Sequence, residues 1–170
     1  MMSKPAAVLL TGVYGAGKSS VGAEIAFLLQ ERGDRYALLD LDFLGWAATG
    51  QMDPQSGFEL MLANLRAVIA NYAQAGVDWY VLAYFVRDDR ELAAILDAAG
   101  MPVRVVRLEV PIAEIGRRLA TDVTTERQAD LQVAVESVAT GEGTGLEDLL
   151  LSNDRPVQVI AQEVLAFLGW

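Results

Sequence analysis

The sequence predicts an α/β fold: a five-stranded parallel sheet with helices on both faces. Three observations carry that expectation. Apolar runs suited to buried strands recur at 6–10, 36–41, 77–86, 103–110 and 146–151. Between them, apolar residues return at helical spacing. The first run also leads directly into Gly12-Val13-Tyr14-Gly15-Ala16-Gly17-Lys18-Ser19, with Ser20 behind it, where a helix opens.

The helix opening near Gly17 carries Val21, Ile25, Leu28 and Leu29 on one face, and Gly33 closes it. The second strand ends in Asp40-Leu41-Asp42. Segment 43–50, rich in small residues but with Phe43 and Trp46, reads as a mobile flap beside that strand end. Asp53-Pro54 supplies a cap and a first-turn proline. The helix that follows shows Phe58, Met61, Leu62, Leu65, Val68, Ile69 and Tyr72 at i, i+3, i+4, i+7, and Gly76 ends it.

The run 77–86 is apolar apart from Asp78 and long enough for a central strand buried on both faces. Asp88 and Glu91 have capping-box spacing, and the helix they open carries Leu92, Ile95, Leu96 and Ala99 as far as Gly100. After the fourth strand, Pro111 opens a helix through Ile112, Ile115 and Leu119. The polar stretch 121–139 has only a weak stripe at Leu131, Val135 and Val138. Gly141, Gly143 and Gly145 make the next five residues the most flexible spot. A closing helix from Pro156 buries Val157, Ile160, Val164 and Phe167. No repeat, low-complexity run or long linker interrupts the chain, so 1–170 reads as a single domain.

A chain of 170 residues with 53% hydrophobic and 21% charged residues can bury a proper core. A formal charge of −10 disfavours nucleic acid or an anionic membrane as the main partner. With no Cys there is no disulfide or thiol chemistry; with no His, proton transfer falls to carboxylates. The apolar start is too short for a signal peptide or a membrane span, and no later run reaches spanning length without a charge. A cytoplasmic protein is expected.

The segment from Gly12 to Ser19 fits Gly-x4-Gly-Lys-Ser/Thr, the phosphate-loop or Walker A pattern, at every defined position. Glycines let the backbone curl so that N–H groups point at one anion, and the helix N-terminus adds its dipole. Gly12, Val13, Tyr14, Gly15, Ala16, Gly17, Lys18, Ser19 and Ser20 are therefore expected to hold a nucleotide, with Lys18 on the terminal phosphates and Ser19 on Mg²⁺.

In an open parallel sheet, ligands sit beyond the carboxyl ends of the strands. That gathers Asp40 and Asp42, Arg87, and the segment 153–156 around the loop. Either aspartate could ligate Mg²⁺ or accept the proton of an attacking hydroxyl, and either could instead cap the flap. Phe43 beside them suits a partly apolar or ring-shaped ligand and would serve a core equally well. Arg87 could hold an anionic group or pair with Asp88 or Asp89. Arg118 lies nearer the packed stripe than Arg117 and is the better placed to close over a transferring phosphoryl group. Arg117 and Arg127 could equally be solvated partners of Glu114 or Asp122. Arg155 could stack on a purine base. No carboxylate ends the third strand, and there is no Asn-Lys-x-Asp for guanine, which argues against a GTPase.

With these motifs in this order, the chain resembles the small P-loop kinases of the adenylylsulfate kinase, gluconate kinase, shikimate kinase and chloramphenicol phosphotransferase group. The resemblance runs along nearly the whole chain. It implies a P-loop nucleoside triphosphate hydrolase fold of the small-kinase type, with a lid at about 118–140. Asp40-Leu41-Asp42 looks like that group's Asp-x-Asp substrate and base motif. The segment 81–90 is similar to the adenylylsulfate kinase stretch Ile-Ser-Pro-Tyr-Arg followed by Asp-Arg, with Arg87, Asp89 and Arg90 aligned but Tyr84 and Phe85 where Ser and Pro are expected. Arg118 falls at the lid-arginine position, and Asp122 where relatives often carry a second arginine. The leading expectation is an ATP- and Mg²⁺-dependent kinase acting on a hydroxyl of a small metabolite. The alternative is a nucleotide-sensing module without efficient transfer.

Overall fold

The computed structural model describes residues 4–47, 53–120 and 125–170. Five strands run β1 (Ala6–Thr11), β2 (Tyr36–Asp40), β3 (Trp79–Ala83), β4 (Val103–Glu109) and β5 (Leu149–Ser152). Seven helices join them: α1 (Lys18–Glu31), α2 (Asp42–Gly45), α3 (Pro54–Gln74), α4 (Asp89–Ala99), α5 (Ile112–Ala120), α6 (Thr125–Thr140) and α7 (Val157–Leu168). All four strand pairings are parallel, in the order β2-β3-β1-β4-β5. The α/β sheet expected from the sequence is therefore the one observed.

Strand β1 is buried at every residue, because helices cover both faces of the central sheet. Its side chains alternate, so Val8 and Leu10 meet Val21, Ile25 and Leu29 of α1 together with Ile160 and Val164 of α7. Ala7 and Leu9 face the other way, onto Leu65 and Ile69 of α3 and Ile95 of α4. Complete burial of a side chain such as Leu65 or Ile95 contributes about 1.5–3 kcal/mol. Among the described residues no helix is long and apolar enough to cross a membrane.

Several local expectations are corrected. The third strand is Trp79–Ala83, shorter than 77–86; Tyr84, Phe85 and Val86 run on buried beyond the ladder toward the site. The fifth begins at Leu149 because Asp148 is occupied with β4, accepting from the Val105 amide at 2.9 Å and pairing with Arg104. Residues 125–139 of the polar stretch belong to helix α6. It packs through small residues, with Ala134 and Ser137 buried, while Val135 and Val138 of the expected stripe are exposed.

Segment 141–145 is a pinned turn. The Gly143 amide donates to the Arg87 carbonyl at 2.8 Å, and the Ser137 hydroxyl donates to Glu142 at 2.6 Å. The first part of the expected flap is the helical turn α2, held where Asn64 Nδ2 donates to the Leu44 carbonyl at 2.7 Å. Residues 48–50 of that flap, 121–124 of the expected lid (Asp122 among them) and the Arg127 side chain lie outside the described residues.

Candidate functional site

The loop from Gly12 to Gly17 follows β1 and feeds α1, whose first turn has no side-chain cap. The amides of Lys18, Ser19 and Ser20 are thus left as donors at the positive end of the helix. Gly17 takes a φ of 96°, and a Cβ there would stand 2.3 Å from Asn153 Nδ2. Gly12, at φ 133°, would place a Cβ 2.4 Å from the Leu108 carbonyl oxygen. Only glycine fits this curl.

Lys18 lies inside the curl, 8% exposed, and its Nζ donates to the carbonyls of Gly12 at 2.7 Å and Val13 at 3.2 Å. The Tyr14 ring is 5.3 Å from Nζ and edge-on to Phe85. Burial pushes the Lys18 ammonium down to about 8, against the opposing pull of Asp42, Asp40 and Asp130. A buried cation hydrogen-bonded to neutral carbonyls is a fitting seat for a polyanion, which would add countercharge close at hand.

Beside the loop, the Ser19 hydroxyl donates to Asp40 Oδ2 at 3.1 Å. The other oxygen of Asp40 accepts from the Asp42 amide at 3.3 Å. A hydroxyl and a carboxylate side by side form a hard-oxygen pair of the kind Mg²⁺ takes. Burial raises the Asp42 carboxyl above its ordinary range, with the Asp40 charge adding to it and Lys18 and Arg87 opposing. Asp40 ends β2 and Asp42 opens α2, so the turn at Leu41, and not strand spacing, sets the two carboxylates beside each other.

Asp42 also lines a cleft of about 880 Å³ between α2, the start of α3 and the start of α4. Phe58 and Tyr84 form part of its wall, their rings 6.3 Å apart. Burial pushes the Tyr84 phenol up to about 12. Arg87 lines the same cleft. Its partner is Glu91, at 3.2 Å, not Asp88 or Asp89. Glu91 also accepts from the Arg87 amide, so the expected capping box closes on residue 87 instead of 88. Asp88 caps α4 alone, accepting from the Arg90 and Glu91 amides.

Arg118 reaches the Gly15 carbonyl of the phosphate loop, and both it and Arg117 pair with Glu114. Among the contacts of Arg118, Nη1 donates to the Gly15 carbonyl at 3.3 Å, Nη2 to the Asn153 carbonyl at 2.9 Å, and Nε to the Glu114 carboxylate at 2.8 Å. Arg155 lies at the start of α7, exposed and bidentate to Glu163 at 2.5 and 2.8 Å. Phe43 is exposed, stacked on Trp46.

Three roles were not foreseen, although segment 153–156 was expected around the loop. Asn153 donates its side-chain amide to the Ala16 carbonyl at 2.7 Å and is buried. Glu91 occupies Arg87, legible only as an i, i+4 pair. Asp130 of α6 stands near enough to act on both Lys18 and Asp42.

No family model and no curated protein matches the chain. Solved structures do match it along its length. A sugar kinase from Janibacter sp. HTCC2649 superposes with a TM-score of 0.69 at 18% identity, over 96% of this chain and 94% of its own. The APS kinase of Mycobacterium tuberculosis, solved in complex with AMPPNP and APS, gives 0.62 at 24% identity, over 99% and 100%. The shikimate kinase from Acinetobacter baumannii, in complex with shikimate, gives 0.58 at 19%, over 97% and 93%. The fold is that of the small P-loop kinases.

Proposed function

We propose that the protein is an ATP-dependent phosphotransferase that moves the γ-phosphoryl group of ATP to a hydroxyl of a small metabolite. One observation supports this above the rest. Asp42 lies within electrostatic reach of the buried Lys18 of the phosphate loop and lines the 880 Å³ cleft. A hydroxyl bound in that cleft beside Asp42 would meet a phosphate held by the loop.

In this reading Gly12 to Ser20 wrap the phosphates and Lys18 leaves the Gly12 and Val13 carbonyls to neutralise them. Ser19 and Asp40 would hold Mg²⁺, which when bound neutralises phosphate oxygens. Asp42 orients the acceptor hydroxyl and takes its proton. The new bond joins the acceptor oxygen to the γ-phosphorus; the bond from that phosphorus to the bridging oxygen breaks and ADP leaves. Arg118 steadies the loop through Gly15 and swings onto the transferring group when the lid, about 118–140, closes. Arg155 exchanges Glu163 for the base, and Phe43 and Arg87 border the acceptor. The chain works as one domain in the cytoplasm, where ATP is supplied. The 81–90 segment on its own suggests adenylylsulfate kinase-like transfer, with an anionic acceptor; the charge of the cleft wall opposes that version.

A nucleotide-sensing role is the second reading, favoured by Arg118 donating to the backbone carbonyls of Gly15 and Asn153. ADP formation with a panel of small alcohols, against ATP binding alone and against Lys18→Ala, decides between them. If the wild type binds ATP yet no acceptor raises ADP formation above the Lys18→Ala background, the sensor reading replaces transfer.

A further inference from the structure

Arg87 is the residue in the cleft best suited to grip an anion, and its charge is already taken. Glu91 receives Arg87 Nη1 on one oxygen at 3.2 Å and the Arg87 backbone amide on the other at 2.9 Å. The guanidinium carbon also lies 5.4 Å from the Phe85 ring centre. The hydrogen bond from the Arg87 N–H also fixes the carboxylate, because moving Glu91 aside would strip a backbone donor of its partner. An incoming carboxylate or sulfate therefore has to displace a tethered rival.

The rest of the wall offers no compensation. Among the described lining residues, Asp42, Glu59, Asp88 and Glu91 stand against Arg87 and Arg90, four negative groups to two positive. Phe58 and Tyr84 supply an apolar flank with Met61 and Leu62 in the same wall. A negative acceptor would meet net repulsion on one side and hydrocarbon on the other.

We infer that the acceptor is a hydroxyl compound without negative charge, a polyol or amino alcohol, and that Glu91 is the residue that excludes anionic acceptors by holding Arg87. This rests on the transfer reading in that it takes the cleft as the acceptor's seat.

The test uses protein loaded with ADP, so that the phosphate loop is occupied. Sulfate, gluconate, sorbitol and glucamine are titrated in; the last three share a carbon chain and differ in ending as carboxylate, hydroxyl or ammonium. The Arg87 Nε–H signal is followed by NMR. In the wild type, sulfate and gluconate leave that signal unmoved and glucamine binds at least about tenfold more tightly than gluconate. In Glu91→Gln, both anions shift the signal and the tenfold preference disappears. A wild type whose Arg87 responds to sulfate, or which binds sorbitol and glucamine no better than gluconate, overturns the inference; so does a Glu91→Gln protein that behaves as wild type. ADP formation is read on the same panel. If nothing is phosphorylated while the charge ranking holds, transfer fails and the inference stands. If gluconate leads the turnover, transfer stands and the inference fails.

Discussion

Asn153 donates its side-chain amide to the carbonyl of Ala16 across 2.7 Å, tying the loop after β5 to the phosphate loop after β1. Its own carbonyl accepts from Arg118, whose guanidinium also reaches Gly15. The curl is thus held from outside, leaving its inner donors open. Replacing Asn153 with Ala strands a carbonyl next to a void. The expected loss is about 1–3 kcal/mol of stability, with weaker ADP binding beside it. Urea unfolding and calorimetric titration of ADP check both. Unchanged ADP affinity in a destabilised variant would show that the contact serves only the fold.

Lys18 carries a pH signature. Burial holds it at about 8 in the folded protein, against 10.5 for an ordinary lysine. Between those values the unfolded chain keeps a proton that the folded chain has released. Stability from this group therefore rises with pH across that window, and is lowest below pH 8 where the charge is buried. Nucleotide phosphates favour the charged amine, so binding takes up a proton above pH 8, and affinity falls by up to about tenfold per pH unit. Titrations in buffers of different ionisation heat measure the uptake. Lys18→Met should bind poorly at every pH and lose both trends.

Asp42 and Asp40 are separable by the same logic. Burial and the Asp40 charge raise the Asp42 carboxyl, so turnover should climb with pH as Asp42 ionises. Asp40→Asn removes the like charge, so at saturating Mg²⁺ the rising limb moves to lower pH. Asp42→Asn removes the base and lowers kcat by about 10²–10⁴-fold. Profiles of kcat against pH for the three proteins decide; a limb that moves upward in Asp40→Asn contradicts the assignment.

Much of the site is legible in the sequence because backbone geometry restricts which residues fit. Gly12 and Gly17 are dictated by positive φ and close approach, and Lys18 and Ser19 by what a phosphate needs, so the loop reads directly from sequence. Asp40 follows from the end of the second apolar run, whereas Asp42 opens α2, so period two along a strand does not place it. The clamp is not legible, because Asn153 and Ala16 are 137 positions apart and only the β4–β5 pairing brings them together. Helix α6 is hidden by its own chemistry: a face made of Ala134 and Ser137 has almost no hydrophobic signature. Glu91 has the spacing of half a cap on Asp88, and that spacing alone does not reveal that its carboxylate reaches one residue further back, to Arg87.

The turn at 141–145 offers a paired test. Gly143 takes φ 70°, and a Cβ there would stand 2.3 Å from the Val86 carbonyl oxygen. Gly145 has φ 77° with nothing within 4 Å. Gly145→Ala should therefore cost only backbone strain, about 1 kcal/mol, whereas Gly143→Ala adds a collision and costs about 3 kcal/mol or more. Because the Gly143 amide holds the Arg87 carbonyl, the second variant should also disturb the Arg87 signal. Urea midpoints and that NMR signal distinguish a pinned turn from a slack one, in which both variants would behave alike.

Trp46 provides a direct reporter of the cleft. It is 70% exposed and stacked on Phe43 with ring centres 5.8 Å apart, and its neighbour Gly45 lines the cleft. The other two tryptophans, Trp79 and Trp170, pack together 4.6 Å apart at the start of β3, the end of the sheet away from the site. An acceptor entering beside α2 should change Trp46 emission, while the distant Trp79–Trp170 pair stays silent. Trp46→Phe should abolish the response without altering ADP affinity. An emission change that persists in Trp46→Phe would mean that binding is felt at the far end of the sheet, and that the cleft is not where the acceptor docks.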